Sequence, residues 1–517
     1  MSDSQDAKKE KIRNFFKNKW NLALIFILII AFAVRLYYFL ISYNQALWWD
    51  EAEYLGIALH WVKDVYYDIN IQRPPFFPFL IAIFMKLSLS ETIIRFFLEF
   101  LPSFFTVILA YLIGKEFYDK NFGIGVAFLM AVFWLNLFLS TRVLTDTLLF
   151  LFTLLSIYFF WKGYIKKERK FFVYLFGFSL GFALLTKLTA VLTIFLVLSF
   201  LLLTEKFKFL KRKELWFAVI AFILVLLPLF IYDKFQFGKS TAFLYGSHVT
   251  YNPEGIKEKP IGWHIIGINC TTRPLCNVFK WYGLTVFYAF FFIGLISLYK
   301  LILGLDLLYK NKDENKYNYL KADLFIVLWI LVNLLYFIFL ERDSDDRWLY
   351  PIALPVLILI LKGILFVYNN IKNYNKQIAI FILAVILLSG SYYQLKQADN
   401  IIKSKRDSYI QLKDVSFFIK SNTKSNDVIF SKSVPQMTYY SERGVYGIPS
   451  VKDEFIKESR NLKPRYLVLS SFEVHSQTTL NYPNDFPNSL VPVKAYFLDQ
   501  EKTRPLLVLY EFKNYDF

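Results

Sequence analysis

The chain has 517 residues, of which 56% are hydrophobic and 20% aromatic, with 57 Phe and 35 Tyr, and its mean hydropathy is +0.40. So apolar a composition excludes a string of ordinary soluble domains. Four His, two Cys and 19 Gly argue against a His/Cys metal scaffold, a disulfide-built secreted fold and a Gly-rich nucleotide binder. The formal charge of +18 would suggest nucleic acid on a soluble protein, whereas on a membrane protein such an excess belongs to cytoplasmic loops.

A bilayer core of about 30 Å takes about 20 apolar residues to cross. Such segments occur near 21–42, 92–114, 122–140, 143–161, 171–186, 188–204, 214–232, 281–303, 322–340, 348–369 and 377–395. The sequence therefore predicts an α-helical polytopic membrane protein. Residues 1–19 form a basic N-terminus (Lys8, Lys9, Lys11, Arg13, Lys17, Lys19) without a small-residue cleavage site, which reads as the flank of a retained first helix. Residues 75–89 are short for a span and open on Pro74, Pro75 and Pro78. If they lie in the interface, the basic stretches at 115–120, 162–170, 205–213, 300–321 and 370–376 fall on the side of the N-terminus. The more acidic 43–74, 142–146, 233–280 and 341–347 then fall opposite. Basic short loops mark the cytoplasm. The expected organisation is therefore a cytoplasmic N-terminus (1–19), about eleven spans with interfacial helices in the first outer loop (20–395), and an extracytoplasmic domain (396–517).

The tail carries a helical apolar period over 407–421 and then β-rich runs at 427–430, 444–448, 465–470, 493–498 and 505–512, separated by Pro, Asn and Ser. This pattern predicts a compact α/β domain. Cys270 and Cys276, in the outer loop 233–280, can form a small-loop disulfide or remain thiols.

The unusual polar residues concentrate on the expected outer face. Trp48, Trp49, Asp50, Glu51, Glu53 and Tyr54 follow the first span. A carboxylate there can serve as a general base or hold a divalent cation, or Asp50 with Glu53 can form a capping box that opens a helix. Arg73 precedes a rigid proline pair and suits a phosphate, or snorkels to the interface. Arg142 and Asp146 are spaced for an i,i+4 ion pair, with Asp146 as a second acidic site residue in the alternative. Lys187 interrupts two apolar segments and can bind an anionic headgroup or simply occupy a turn. Six charges crowd Glu341 to Arg347, as the mouth of a polar site or a solvated loop. His248, His264 and His475 lack metal-ligand spacing, and no phosphate-binding Gly loop is present.

The order of these features resembles the GT-C membrane glycosyltransferases: Asp50-Glu51 and Tyr54 after the first span, Arg73-Pro74-Pro75, Arg142 and Asp146, Gly181 and Lys187, then Arg347-Trp348-Leu349-Tyr350-Pro351. The resemblance points to the branch that holds protein O-mannosyltransferases and the bacterial lipid A aminoarabinose transferase. It implies an inverting transfer from a polyprenyl-phosphate-linked sugar to a protein, lipid or glycan acceptor on the extracytoplasmic face. It also implies roles: Asp50, Glu51 and Asp146 as catalytic acidic residues; Arg73, Arg142, Lys187 and Arg347 toward the donor phosphate; Trp49 and Tyr54 toward substrate. Mg or Mn, if used, would sit on Asp50 and Asp146. Arg73 stands where the family often has His or Lys, and Trp348 follows Arg347 where Tyr is common. The implied partners are the bilayer, the lipid-linked donor and the acceptor, with no nucleic acid. An oligosaccharyltransferase-like subunit and a headgroup flippase are the alternative readings. The first is disfavoured because Trp48-Trp49-Asp50 lies in the first loop and no such motif follows residue 396. The second is disfavoured because the charges sit at the outer boundary and do not line a mid-membrane path.

Overall fold

The computed structural model describes residues 17–71, 73–240, 285–304, 318–339 and 346–517; Cys270, Cys276, His248, His264 and Glu341–Asp345 lie outside them. The principal helices in chain order are α1 (Lys19–Ile41), α2 (Trp49–Lys63), α3 (Phe76–Lys86), α4 (Glu91–Phe117), α5 (Lys120–Val132), α6 (Thr145–Ile165), α7 (Phe171–Thr186), α8 (Val191–Glu205), α9 (Lys213–Phe237), α10 (Asn318–Phe339), α11 (Ala353–Lys372), α12 (Lys376–Arg406), α13 (Ile410–Asn422), α14 (Val434–Ser441), α15 (Lys452–Leu462) and α16 (Gln477–Asp485). They belong to two compact units that alternate along the sequence. One comprises the chain up to Ile41 with Arg95–Ile402, the other Ser42–Ile94 with Lys403–Phe517.

The first unit is helical. Among the described residues of the whole chain, eight helical segments are long and apolar enough to cross a bilayer, and four shorter ones are apolar. Over the described residues each of the eleven segments expected from the sequence overlaps one of these helices, and the one near 122–140 breaks at Phe133, where Lys120–Val132 gives way to the short helix Trp134–Leu139. The remaining short helix is α3, whose 11 residues rise about 16 Å at 1.5 Å each. That is half a hydrocarbon core, which agrees with its reading as an interfacial element.

These helices are apolar on every side because both their protein-facing and lipid-facing surfaces avoid water. Small residues decide how closely they pack. A Cβ on Gly177 of α7 would lie 2.1 Å from the Ala218 carbonyl oxygen of α9, and one on Gly181 would lie 2.8 Å from Val225 Cβ. The small-xxx-small spacing of Gly177 and Gly181 thus lets two backbones touch, as membrane helices require when hydrophobicity gives no preference between protein and lipid. Gly177→Val should force α7 and α9 apart and lower the melting temperature of the detergent-solubilised protein. Overpacking of this kind costs about 1–3 kcal/mol, and an unchanged melting curve would refute the close-packing account.

The second unit contains a five-stranded sheet in the order β2-β1-β3-β5-β4, with β1 (Val428–Ser431), β2 (Gly444–Tyr446), β3 (Tyr466–Ser470), β4 (Leu490–Phe497) and β5 (Pro505–Phe512). β1 pairs in parallel with β2 and β3, and β5 runs antiparallel to β3 and β4. All five expected β-rich runs are strands. Alternate residues of β3 serve two cores: Tyr466 and Val468 pack with Leu412, Val415 and Ile419 of α13, while Leu467 and Leu469 pack with Phe455 of α15 and Tyr482 of α16. Burial on both faces explains why β3 reads as a continuous apolar run.

The first loop folds onto this α/β body. The Leu47 backbone N–H donates to the Tyr440 hydroxyl (3.0 Å), Tyr66 stacks on Tyr446 with centroids 4.7 Å apart, and Glu442 accepts Lys63 (2.7 Å) and Lys420 (2.9 Å). Burial alone would raise the Glu442 carboxyl, but the two lysines outweigh it and hold it below its ordinary range. A carboxylate whose folded pKa is lowered stabilises the structure above its unfolded pKa, and that contribution disappears as pH falls through the folded value. Amide protection in α2, taken relative to the intrinsic exchange rate at each pH, should therefore fall on acidification below the ordinary carboxylate range. Glu442→Gln should show that lower protection already at neutral pH; identical protection in both proteins would sink the coupling.

Candidate active-site residues

In the second unit, the first loop builds a compact charged cluster. Helix α2 starts at Trp49, and the Glu51 carboxylate accepts the Trp48 backbone N–H at 2.6 Å. The cap therefore lies two residues before the Asp50/Glu53 box expected from the sequence. The reason is that Asp50 and Glu53 are engaged elsewhere. Three residues apart on one helix, they face the same direction, and Arg73 reaches both. Its Nη2 donates to Asp50 Oδ1 (2.7 Å), its Nε and Nη2 reach Glu53 Oε2, and its Nη1 donates to the Tyr54 hydroxyl (3.2 Å). The guanidinium carbon lies 5.2 Å from the Tyr54 ring centroid, and that ring meets Phe77 edge-on at 5.1 Å.

Pro74 and Pro75 stiffen the chain just after Arg73, and Phe77 of α3 supports the ring beneath it. The dipeptide thus fixes where the arginine enters. Burial alone would lower the Arg73 pKa, but Tyr54, Glu53 and Asp50 hold the guanidinium above its ordinary value. It is a fixed cation between two carboxylates, and the three groups together carry one net negative charge. Tyr67, buried beside them, has its hydroxyl pushed up first by burial and then by Glu53. Trp49 is 38% exposed and Tyr54 only 4%, so Trp49 presents surface whereas Tyr54 acts as a platform under Arg73.

In the first unit, Asp146 lies in the first turn of α6, with its side chain 5% exposed, and accepts Lys187 Nζ at 2.8 Å. Lys187 ends α7 in extended backbone. The helical i,i+4 geometry expected of Arg142 and Asp146 is not formed, because α6 begins at Thr145 and Arg142 lies in the turn at 140–144. Arg142 is fully buried there. Arg347 opens the 3₁₀ turn Asp346–Ile352 and is half-buried.

Two further buried charges, Arg35 and Glu99, were missed in the sequence, beside Tyr350 of the Arg347–Pro351 run. Arg35, fully buried in α1, donates Nε to Ser103 Oγ (2.8 Å) and Nη1 to the Ala31 and Ala131 carbonyls (3.0 and 3.2 Å). Glu99, in a π-helical turn of α4, accepts the Leu144 backbone N–H at 3.0 Å, which fixes the entry to α6. Tyr350 is buried with Arg35, Glu99 and Asp146 as its electrostatic neighbours. The signal was present: charges inside apolar segments are costly and so have a reason to be there.

Among the described residues no group of three or more His, Cys, Asp or Glu is arranged to hold a metal ion. A divalent cation on Asp50 would compete with Arg73, and one on Asp146 with Lys187.

Residues 72–232 match the family of dolichyl-phosphate-mannose-protein mannosyltransferases. No curated protein matches the chain by sequence. Among solved structures, it is similar to apo ArnT from Cupriavidus metallidurans at 12% identity, covering 93% of this chain and 97% of that one with a TM-score of 0.63. ArnT bound to undecaprenyl phosphate matches at 11% identity, 94% and 97% coverage and a TM-score of 0.62. The apo oligosaccharyltransferase of Archaeoglobus fulgidus matches at 13% identity, covering 88% of this chain and 70% of that one, with a TM-score of 0.60. Over most of its length the chain thus has the fold of these membrane glycosyltransferases, and within it residues 72–232 match the mannosyltransferase family.

Proposed function

We propose that the chain transfers a hexosyl or pentosyl group from a polyprenyl-phosphate donor to a protein, lipid or glycan acceptor on the extracytoplasmic face, with Asp50 as general base. The observation that carries this reading is the bridge from Arg73 to Asp50 and Glu53, which fixes a partly exposed carboxylate on a rigid helix. The similar ArnT structure holds undecaprenyl phosphate, the kind of lipid phosphate that such a donor would release.

In the proposed reaction the acceptor loses its proton to the Asp50 carboxylate as its heteroatom bonds to the sugar C1. The bond from C1 to the phosphate oxygen breaks, and its electron pair leaves with the polyprenyl phosphate. The donor arrives activated, so no nucleotide site is required. Arg73 faces two carboxylates that outweigh its charge, so its role here is to position Asp50. Lys187, with Arg142 and Arg347, takes the donor phosphate, and Asp146 holds Lys187. Glu51 supports α2 as its cap, and Trp49 offers an apolar face to the sugar.

Purified protein incubated with a panel of polyprenyl-phosphate sugars should release lipid phosphate from at least one donor when a hydroxyl acceptor is supplied. Silence across the panel in protein that remains folded and monodisperse would overturn the reading and favour binding or transport.

A further inference from the structure

The basic stretch from Glu205 to Lys213 does more than set a topological bias. The ends of three helices meet there around two adjoining cavities in the first unit. One is a cleft of about 230 Å³ whose walls include Tyr164, Lys167, Lys170, Glu205, Arg212 and Lys321. With Glu214, also on its wall, it sets four cations against two carboxylates. Glu205 is further drawn in by the Tyr164 hydroxyl, 2.9 Å from each carboxylate oxygen, and by Arg212 Nε at 3.6 Å. The other is a groove of about 270 Å³ walled by apolar side chains that include Phe176, Leu201, Phe209, Leu215, Trp216 and Val219.

The two cavities share three helices, one turn apart on each. On α7 the cleft touches Val173 and the groove Phe176; on α8 the groove touches Leu201 and the cleft Glu205; around the start of α9 the cleft touches Arg212 and the groove Leu215. Helices α7 and α9 run from cleft to groove, and α8 runs back. The charged cleft therefore caps the apolar groove at one end of the same helix layer. Trp216 marks the rim: its indole N–H donates to the Leu210 carbonyl at 2.9 Å, and its ring remains 54% exposed, as suits an interfacial tryptophan.

We propose that this paired cavity is a binding site for an anionic diacyl phospholipid of the surrounding leaflet, with its phosphate headgroup in the cleft and an acyl chain in the groove. The charge excess fits a phosphodiester. Hydrocarbon is the only filling for the groove that leaves no polar group unsatisfied. The site lies away from Asp146 and Lys187, which occupy the opposite ends of α6 and α7, so it does not depend on the transfer reaction proposed above.

The test uses the full chain in nanodiscs with a minor fraction of brominated phospholipid. The contribution of Trp216 is isolated by subtracting the Trp216→Phe protein. Brominated anionic phospholipid should quench Trp216 at least about fivefold more effectively than its zwitterionic counterpart, the bias expected from one net cationic contact. The Lys170→Gln/Arg212→Gln/Lys321→Gln variant should erase this preference. Lys208→Gln/Lys211→Gln, which removes exposed charges outside the cleft, should retain it. Three results would overturn the proposal: equal quenching by both lipids in the wild type, equal loss of preference in both variants, or displacement of the anionic phospholipid by stoichiometric polyprenyl phosphate. The last would make the occupant the prenyl lipid.

Discussion

Replacing Asp50 with asparagine should lower kcat for sugar transfer by at least about a thousandfold while leaving KM and folding near wild type, within the range for loss of a general base. The geometry makes this substitution clean. Asn keeps the size of the side chain and an oxygen to accept Arg73 Nη2, and Arg73 remains anchored by Glu53 and Tyr54. What disappears is the charge that would take the acceptor proton. Arg73→Met attacks the same function indirectly. It leaves Asp50 and Glu53 side by side on α2 without their common counter-ion, so the carboxylates repel and Asp50 loses its orientation. The loss should approach that of Asp50→Asn, and Arg73→Lys should recover part of kcat because an ammonium restores the charge but cannot hold both carboxylates in one planar fork. A merely structural role for Arg73 predicts parallel losses of stability and activity with no rescue by lysine. Full turnover by Asp50→Asn would remove Asp50 from the chemistry altogether.

How far these residues were legible follows from the range of the interactions that place them. The spans and the five strands are local signals. A run such as Ile378 to Leu388 is apolar whatever it packs against, and β3 and β5 are apolar on both faces because both faces are covered. Asp50, Arg73, Asp146 and Lys187 stood out because charge at an apolar boundary needs a reason. Their partners did not, since sequence spacing shows only neighbours on one helix. It suggested Arg142 for Asp146, whereas the turn at 140–144 removes Arg142 from the helix and Lys187 arrives from 41 residues away. The capping register failed for the same reason: Arg73 claims Asp50 and Glu53 across 23 and 20 residues, and Glu51 takes the cap. The attachment of the first loop to the C-terminal body rests on pairs such as Leu47 with Tyr440, 393 residues apart, which no local pattern encodes. Helices α15 and α16 were missed because one shows only a sparse apolar face and the other carries Pro483 inside it.

Removing Lys187 should destabilise the transmembrane unit more than removing both members of its pair. Asp146 is almost fully buried, and Lys187→Met leaves its carboxylate in a low-dielectric setting without its cation, which costs about 3–5 kcal/mol. Asp146→Asn/Lys187→Met removes both charges, leaves a neutral side chain in the same space, and should recover most of that loss in melting temperature. Activity should behave differently. If Lys187 takes the donor phosphate and Asp146 aims it, the double variant remains about a hundredfold or more below wild type in kcat/KM, the scale of losing one electrostatic contact to the developing charge. The cycle therefore separates two roles that a single substitution confounds. Recovery of stability without recovery of transfer supports a functional pair. If both recover together, the Asp146–Lys187 bridge is a packing device, and the donor phosphate must be held by other cations. Lys187→Arg gives the third corner: a longer, planar cation should keep the buried bridge and the melting temperature. Its cost should fall on KM for the lipid-linked donor, because the phosphate and Asp146 then compete for one fork.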